Sequence, residues 1–250
     1  VFSQIVSGIG SIIYAVKTNS YFKIRREDFR VDHSILKADF KIGLPMAVQT
    51  SMISISCSLL QALINGYGPA VMAAYTATGK VEGIVFQPFS SLGLALSTFA
   101  GQNIGAGQYD RIKKAVWQAE CITIGLSAVL FAAILLFREN IIHFFVTDQE
   151  VIRLGAKGMV ISGSMYVALG TIYTLRGALN GMGDVVFSMI NGFLEVGGRV
   201  VFALFLMYAL DMGFWGIWYT NIFTWIVIAL TAAVRLIVYL KKAQRNTNQM

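Results

Sequence analysis

The sequence predicts an all-α fold, a polytopic transmembrane helical bundle, and three observations carry that prediction. Hydrophobic residues make up 56% of the 250-residue chain and charged residues 13%. With a mean hydropathy of +0.65, the chain has more apolar surface than one globular core of this length can hide. The charges avoid the long apolar runs instead of recurring at helical spacing. Those runs reach the roughly 20 residues that a helix needs to cross hydrocarbon. The alternating segments of about ten residues that build a membrane β-barrel do not occur.

Taken in order, residues 1–17 are an apolar run that Lys17 ends too early for a full span, so they read as the end of a helix in a longer protein. The composition then flips. Residues 18–41 form a charged linker, in which Ile35, Leu36 and Phe40 alternate with Lys37, Asp39 and Lys41 as a short amphipathic turn on the membrane surface would. Six apolar runs follow at 42–65, 70–104, 112–137, 152–176, 185–210 and 213–240, each bounded by polar or Gly/Pro punctuation. Residues 241–250 are a polar tail. If the spans alternate, the linker side collects Lys17, Lys23, Arg25, Arg26, Arg30, Lys37, Lys41, Arg111, Lys113, Lys114, Arg176, Arg235, Lys241, Lys242 and Arg245. The other side holds only Arg138, Arg153 and Lys157. The positive-inside tendency therefore places linker and C-terminus in the cytoplasm of a multi-pass cell-membrane protein.

The same segregation assigns the net charge of +7 to topology and not to nucleic-acid binding. Cys57 and Cys121 lie inside apolar runs without His or Cys neighbours at ligand spacing, so they read as packing residues and no metal site is expected. His33 and His143 sit in polar segments without the companions of a catalytic triad. No phosphate-binding loop is present, which leaves ATP-driven pumping unsupported. The chain reads as a non-enzyme without a cofactor.

Within the spans, the costly residues carry the information. Pro88 falls mid-span and should kink its helix by removing a donor and crowding the Ile84 carbonyl; Gln87 beside it and Glu82 before it suit either a central cavity or simple packing. Glu82 must be protonated, paired or hydrated at that depth. It reads as a proton or cation site or as a hydrogen-bonding partner for a neighbouring helix. Lys80, two residues away, does not share its face. Glu195 and Arg199 stand at i and i+4, the spacing of a helical ion pair that is either structural or broken and remade as a gate or coupling element. Tyr166 and Tyr173 share a face with Arg176 one turn on, suiting cavity lining for flat cationic compounds or ordinary packing. Gln49, Ser51, Ser54, Ser56, Ser58 and Gln61 make the first complete span polar on one side. Gly101, Gln102, Asn103, Ile104, Gly105, Ala106, Gly107 and Arg111 close the second, where three glycines allow a reversal into a basic cluster.

That string closely resembles a signature of the multidrug and toxic compound extrusion (MATE) family. Further resemblance runs through Ile42-Gly43-Leu44-Pro45, through Leu175-Arg176-Gly177 to Gly183-Asp184, and through Glu195 to Arg199. The resemblance covers essentially the whole chain. It implies the end of the sixth helix, the interlobe linker and the C-terminal six-helix lobe of a transporter whose N-terminal six-helix lobe belongs to the same parent chain. It also implies alternating access and exchange of H+ or Na+ for small amphipathic, often cationic, substrates within membrane lipids. Sodium-coupled members carry carboxylates on the seventh and tenth helices; residues 42–65 and 154–176 contain none. That departure weakens a Na+ site in this lobe and leaves Glu82, or the other lobe, for coupling. A flippase for lipid-linked oligosaccharides and a non-transporting membrane subunit remain the alternatives.

Overall fold

In a computed structural model describing residues 2–18 and 32–247, with side chains through 242, every regular element is helical. Lys23, Arg25, Arg26 and Arg30 of the expected linker lie outside the described residues, as do the side chains of the tail beyond Lys242. The chain divides into two units, Val1–Lys41 and Ile42–Met250. The first contains α1 (Phe2–Thr18) and the start of α2 (His33–Ile64). Asp32 caps α2: its carboxylate accepts from Ser34 Oγ at 2.6 Å and Ser34 N at 2.7 Å. These bonds, the side-chain one foremost, hold the Asp32 carboxyl below its ordinary pKa. The expected surface turn at residues 35–41 is thus corrected: the cap starts a helix that runs unbroken through Pro45.

The larger unit continues with a 3-10 turn at Asn65–Tyr67, α3 (Pro69–Gly105), α4 (Tyr109–His143), α5 (Gln149–Gly163), α6 (Tyr166–Gly181) and α7 (Val185–Leu204). A π-helical segment at Phe205–Ala209 and α8 (Trp215–Thr247) complete it. Five described helical segments are long and apolar enough to cross a membrane, and α5 with α6 makes a sixth that is bent by 51°. The fourth apolar run is therefore two helices and not one. Asp148 caps the first of them by accepting from Glu150 N and Val151 N. α3 stays helical through Pro88, whose side is exposed.

Two reversals are made by glycine in the left-handed region. At the end of α3, Gly107 has φ +69°. There Gly107 N donates to Ile104 O at 3.0 Å and Gln108 N to Asn103 O at 2.8 Å. After α6, Gly183 at φ +85° repeats the arrangement with bonds to Asn180 and Leu179. This paired closure satisfies the orphan carbonyls that a helix end would otherwise expose.

The tightest packing in the unit is between α3 and α6. A Cβ at Gly177 would collide with the Gly93 carbonyl and one at Gly181 with the Ser97 carbonyl, while one at Gly93 would stand 2.6 Å from Tyr173 O. Small residues spaced by four on both helices let the backbones touch, as membrane helices without a hydrophobic drive between them require. Around this contact lie three apolar clusters centred on Phe89 with Tyr166 and Trp225, on Ala100 with Leu179 and Leu236, and on Leu60 with Met207 and Ile217. Large apolar side chains such as Leu94, Trp117 and Leu136 stand exposed on the outside, the distribution expected where lipid is the solvent. Gly177→Ala and Gly181→Ala are each expected to lower the thermal midpoint of the purified protein by the equivalent of about 1–3 kcal/mol of overpacking. Gly125→Ala, which meets nothing within 4 Å, should leave it in place.

Candidate functional site

The α3–α6 contact sets Tyr173, Arg176 and Asn180 of α6 beside Ser90, Gly93 and Ser97 of α3. With Met46, Gln49, Thr50 and Ile53 of α2 they line a cavity of about 220 Å³. Gly192 of α7 closes on Gln49 from behind, where a Cβ would stand 3.2 Å from Gln49 Cα. Tyr173 meets Phe86 edge to face at 4.7 Å, a favourable aromatic geometry.

Behind this cavity lies a buried charge cluster. Glu195 accepts from Arg199 Nη2 at 3.0 Å through one oxygen and from Arg176 Nη2 at 3.2 Å through the other. The i, i+4 spacing supplies the first contact and the α6–α7 packing the second. Arg176 Nη2 also donates to Asn191 Oδ1 at 2.7 Å, and Asn191 Nδ2 to Thr231 Oγ1 of α8 at 3.0 Å. Arg199 Nη1 reaches α2, donating to Ser56 Oγ at 2.8 Å and lying 2.9 Å from Cys57 Sγ. Four helices are thereby tied to one carboxylate. Cys57, expected as a packing residue, is exposed and contacts a guanidinium instead.

A second polar group surrounds Glu82 of α3. Ser162 of α5 faces it, but no well-formed hydrogen bond joins them: Glu82 Oε1, Ser162 Oγ and Tyr166 Oη are all buried without a partner among the described residues. Lys80 lies 5.7 Å from the Phe145 ring and is no partner for Glu82. Arg199 is near enough to act on Glu82 electrostatically, which links the two polar groups.

The remaining sequence-derived residues separate. Tyr166 is corrected from cavity lining to core: the bend between α5 and α6 carries the first turn of α6 inward, where Tyr166 is fully buried with Trp225. Gln87 is exposed one turn before Ser90 on the same face of α3, outside the cavity. Asn103 is buried and bonds to Phe99 O at 2.8 Å, and Arg111 lies over the Phe99 ring at 5.8 Å. Gln102 and Gly105 are exposed, while Gly101 lies against the Gly181 carbonyl. The serines at 51, 54 and 58 bond back to their own helix four residues earlier, so they need no partner helix. Sequence reasoning missed Glu120, which accepts from Thr171 Oγ1 at 2.8 Å beside a Thr123–Thr174 contact of 3.1 Å. As the one carboxylate in residues 112–137, it carried the same signal as Glu82. It also missed the Arg235 fork on Asp184, at 2.6 and 3.1 Å. Among the described residues no group of three His, Cys, Asp or Glu side chains could hold a metal ion.

Removing the shared carboxylate strands two buried cations. Glu195→Gln is expected to lower unfolding stability by roughly 3–5 kcal/mol. Glu120→Gln, whose partner is a neutral hydroxyl, should cost well under half of that; thermal unfolding of the two variants in one detergent compares them.

The chain resembles known proteins in sequence and in fold. It is 26% identical over 222 residues to the probable multidrug resistance protein YoeA of Bacillus subtilis, covering 87% of this chain and 48% of that protein. It is 23% identical over 212 residues to the probable multidrug resistance protein NorM of Thermotoga maritima, covering 84% and 46%. The chain thus spans about half the length of these curated relatives. The outward-facing structure of a multidrug resistance MATE family transporter of the MOP superfamily superposes with a TM-score of 0.89 at 18% identity, over 98% of this chain and 55% of that one. The sequence model of the MatE family matches residues 45–205, well over half of the chain. By that match, the chain belongs to the MatE family of multidrug and toxic compound extrusion transporters.

Proposed function

We propose that this chain is the C-terminal lobe of a secondary active multidrug exporter that exchanges a cation for amphipathic, often cationic, compounds by alternating access. The N-terminal six-helix lobe of the same parent chain would supply the other wall of the cleft, with membrane lipids around both. The linker and C-terminus would lie in the cytoplasm, as the distribution of Lys and Arg favours. The observation that carries the coupling part is the half-buried Glu82, whose Oε1 is buried without a partner among the described residues. An ionisable group left unpaired inside a span is costly unless it binds a proton or a cation during the cycle. With residues 42–64 of α2 and all of α6 free of Asp and Glu, a lone carboxylate beside a serine suits H+ better than Na+, which prefers several oxygen ligands. The match to a multidrug family favours export of amphipathic compounds over the flippase reading.

The test uses the complete parent protein in proteoliposomes, following a fluorescent lipophilic cation under a pH gradient or a Na+ gradient. Movement driven by the pH gradient, and reduced at least about tenfold in Glu82→Gln, is the expected result. Movement retained in that variant would place coupling in the other lobe, and no movement under either gradient would overturn the exporter reading.

A further inference from the structure

We infer that the cavity between α2, α3 and α6 binds the carboxylate of an amphipathic substrate, so that this lobe prefers compounds carrying an anionic group beside their aromatic system. The inference rests on the exporter reading for the route of the substrate, but the binding preference stands on the cavity itself.

Two residues of its wall keep an unused donor, each enclosed just beneath the cavity surface. Gln49 is 5% exposed and Arg176 6% exposed, and Gln49 Nε2 and Arg176 Nε are both buried without an acceptor among the described residues. Buried donors of this kind are rare in finished protein interiors, because each costs the desolvation of its N–H. Both belong to residues that line the one cavity, where Ser90, Ser97 and Tyr173 add hydroxyls. Asn180 contributes the one unpartnered acceptor, its Oδ1.

The charge around the cavity has the same sign as the donors. No Asp or Glu lines it. Glu195, directly behind Arg176, is shared with Arg199, so one carboxylate stands against two guanidiniums. Glu82 acts on Arg199 from the far side and does not reach the cavity wall. A carboxylate entering the cavity would meet a positive surplus in a low-dielectric setting, where charge-assisted hydrogen bonds are shortest and strongest. The Phe86–Tyr173 pair offers a ring surface next to that position. A purely cationic ligand would meet Arg176 as a like charge.

Rhodamine 19 and rhodamine 6G separate this from general affinity for flat cations. They share one cationic ring system and differ in a free carboxylic acid against its ethyl ester. Binding of each to the full-length protein, purified in detergent, is measured by fluorescence polarisation at neutral pH. The free acid is expected to bind at least about tenfold more tightly than the ester, the effect of one charge-assisted hydrogen bond. Arg176→Met and Gln49→Leu should each bring that ratio close to one. Because the readout is a ratio within each variant, a loss of overall affinity does not imitate it; if Arg176→Met binds neither dye, Gln49→Leu decides. Equal binding of the two dyes by the unaltered protein would overturn the inference, as would a ratio that survives both substitutions. If the ratio is found but neither gradient moves either dye in proteoliposomes, the exporter reading fails while the binding preference stands.

Discussion

The helices of the larger unit have to accommodate one carboxylate between two guanidiniums inside an apolar bundle. Charges at that depth are tolerated only when they face protein and satisfy each other. Glu195 meets the requirement by giving one oxygen to Arg199 on its own helix and the other to Arg176 on α6. The surplus guanidinium donors then recruit Asn191, Ser56 and Cys57. The consequence is geometric. α2, α6, α7 and α8 cannot slide past one another without exposing a charge to hydrocarbon, so the cluster selects one register among many that apolar packing alone would allow.

The glycine contact between α3 and α6 makes that cluster reachable. With backbones touching at Gly93 and Gly177, Arg176 sits at a helix seam instead of behind a layer of side chains. It can bond to Glu195 on one side and line a cavity on the other. A seam of glycines is also the kind of contact along which two helices shift without repacking bulky groups. The cavity wall and the charge cluster are therefore mechanically one object: a movement of α6 that opens the first must disturb the second.

Much of this was legible in the sequence, and the residues show why. Hydropathy and punctuation located the six spans, because lipid exposure demands nearly continuous apolar runs whatever the tertiary contacts. Glu195 and Arg199 were readable as a pair because helical spacing decides that contact. Arg176 as the third member was not, since its approach to Glu195 depends on the packing of α6 against α7. The bend between α5 and α6 left no proline to mark it, and its consequence, the burial of Tyr166, was hidden with it. Periodicity correctly put Tyr166 and Tyr173 on one face, but a 51° bend at Ser164 and Met165 decides which neighbours that face meets at each end. Asp32 shows the opposite case: its cap is a local feature, but the apolar count that follows begins ten residues later and drew the helix boundary with it.

The most direct test of this account is a double-mutant cycle on thermal unfolding with Arg176→Gln, Glu195→Gln and the two combined. If the cluster is one buried unit, the combined loss falls short of the sum of the single losses by more than about 1 kcal/mol, since groups in direct contact do not contribute independently. Additive losses would mean that Arg176 and Glu195 do not share an interaction in the folded protein, and the central constraint described here would be wrong.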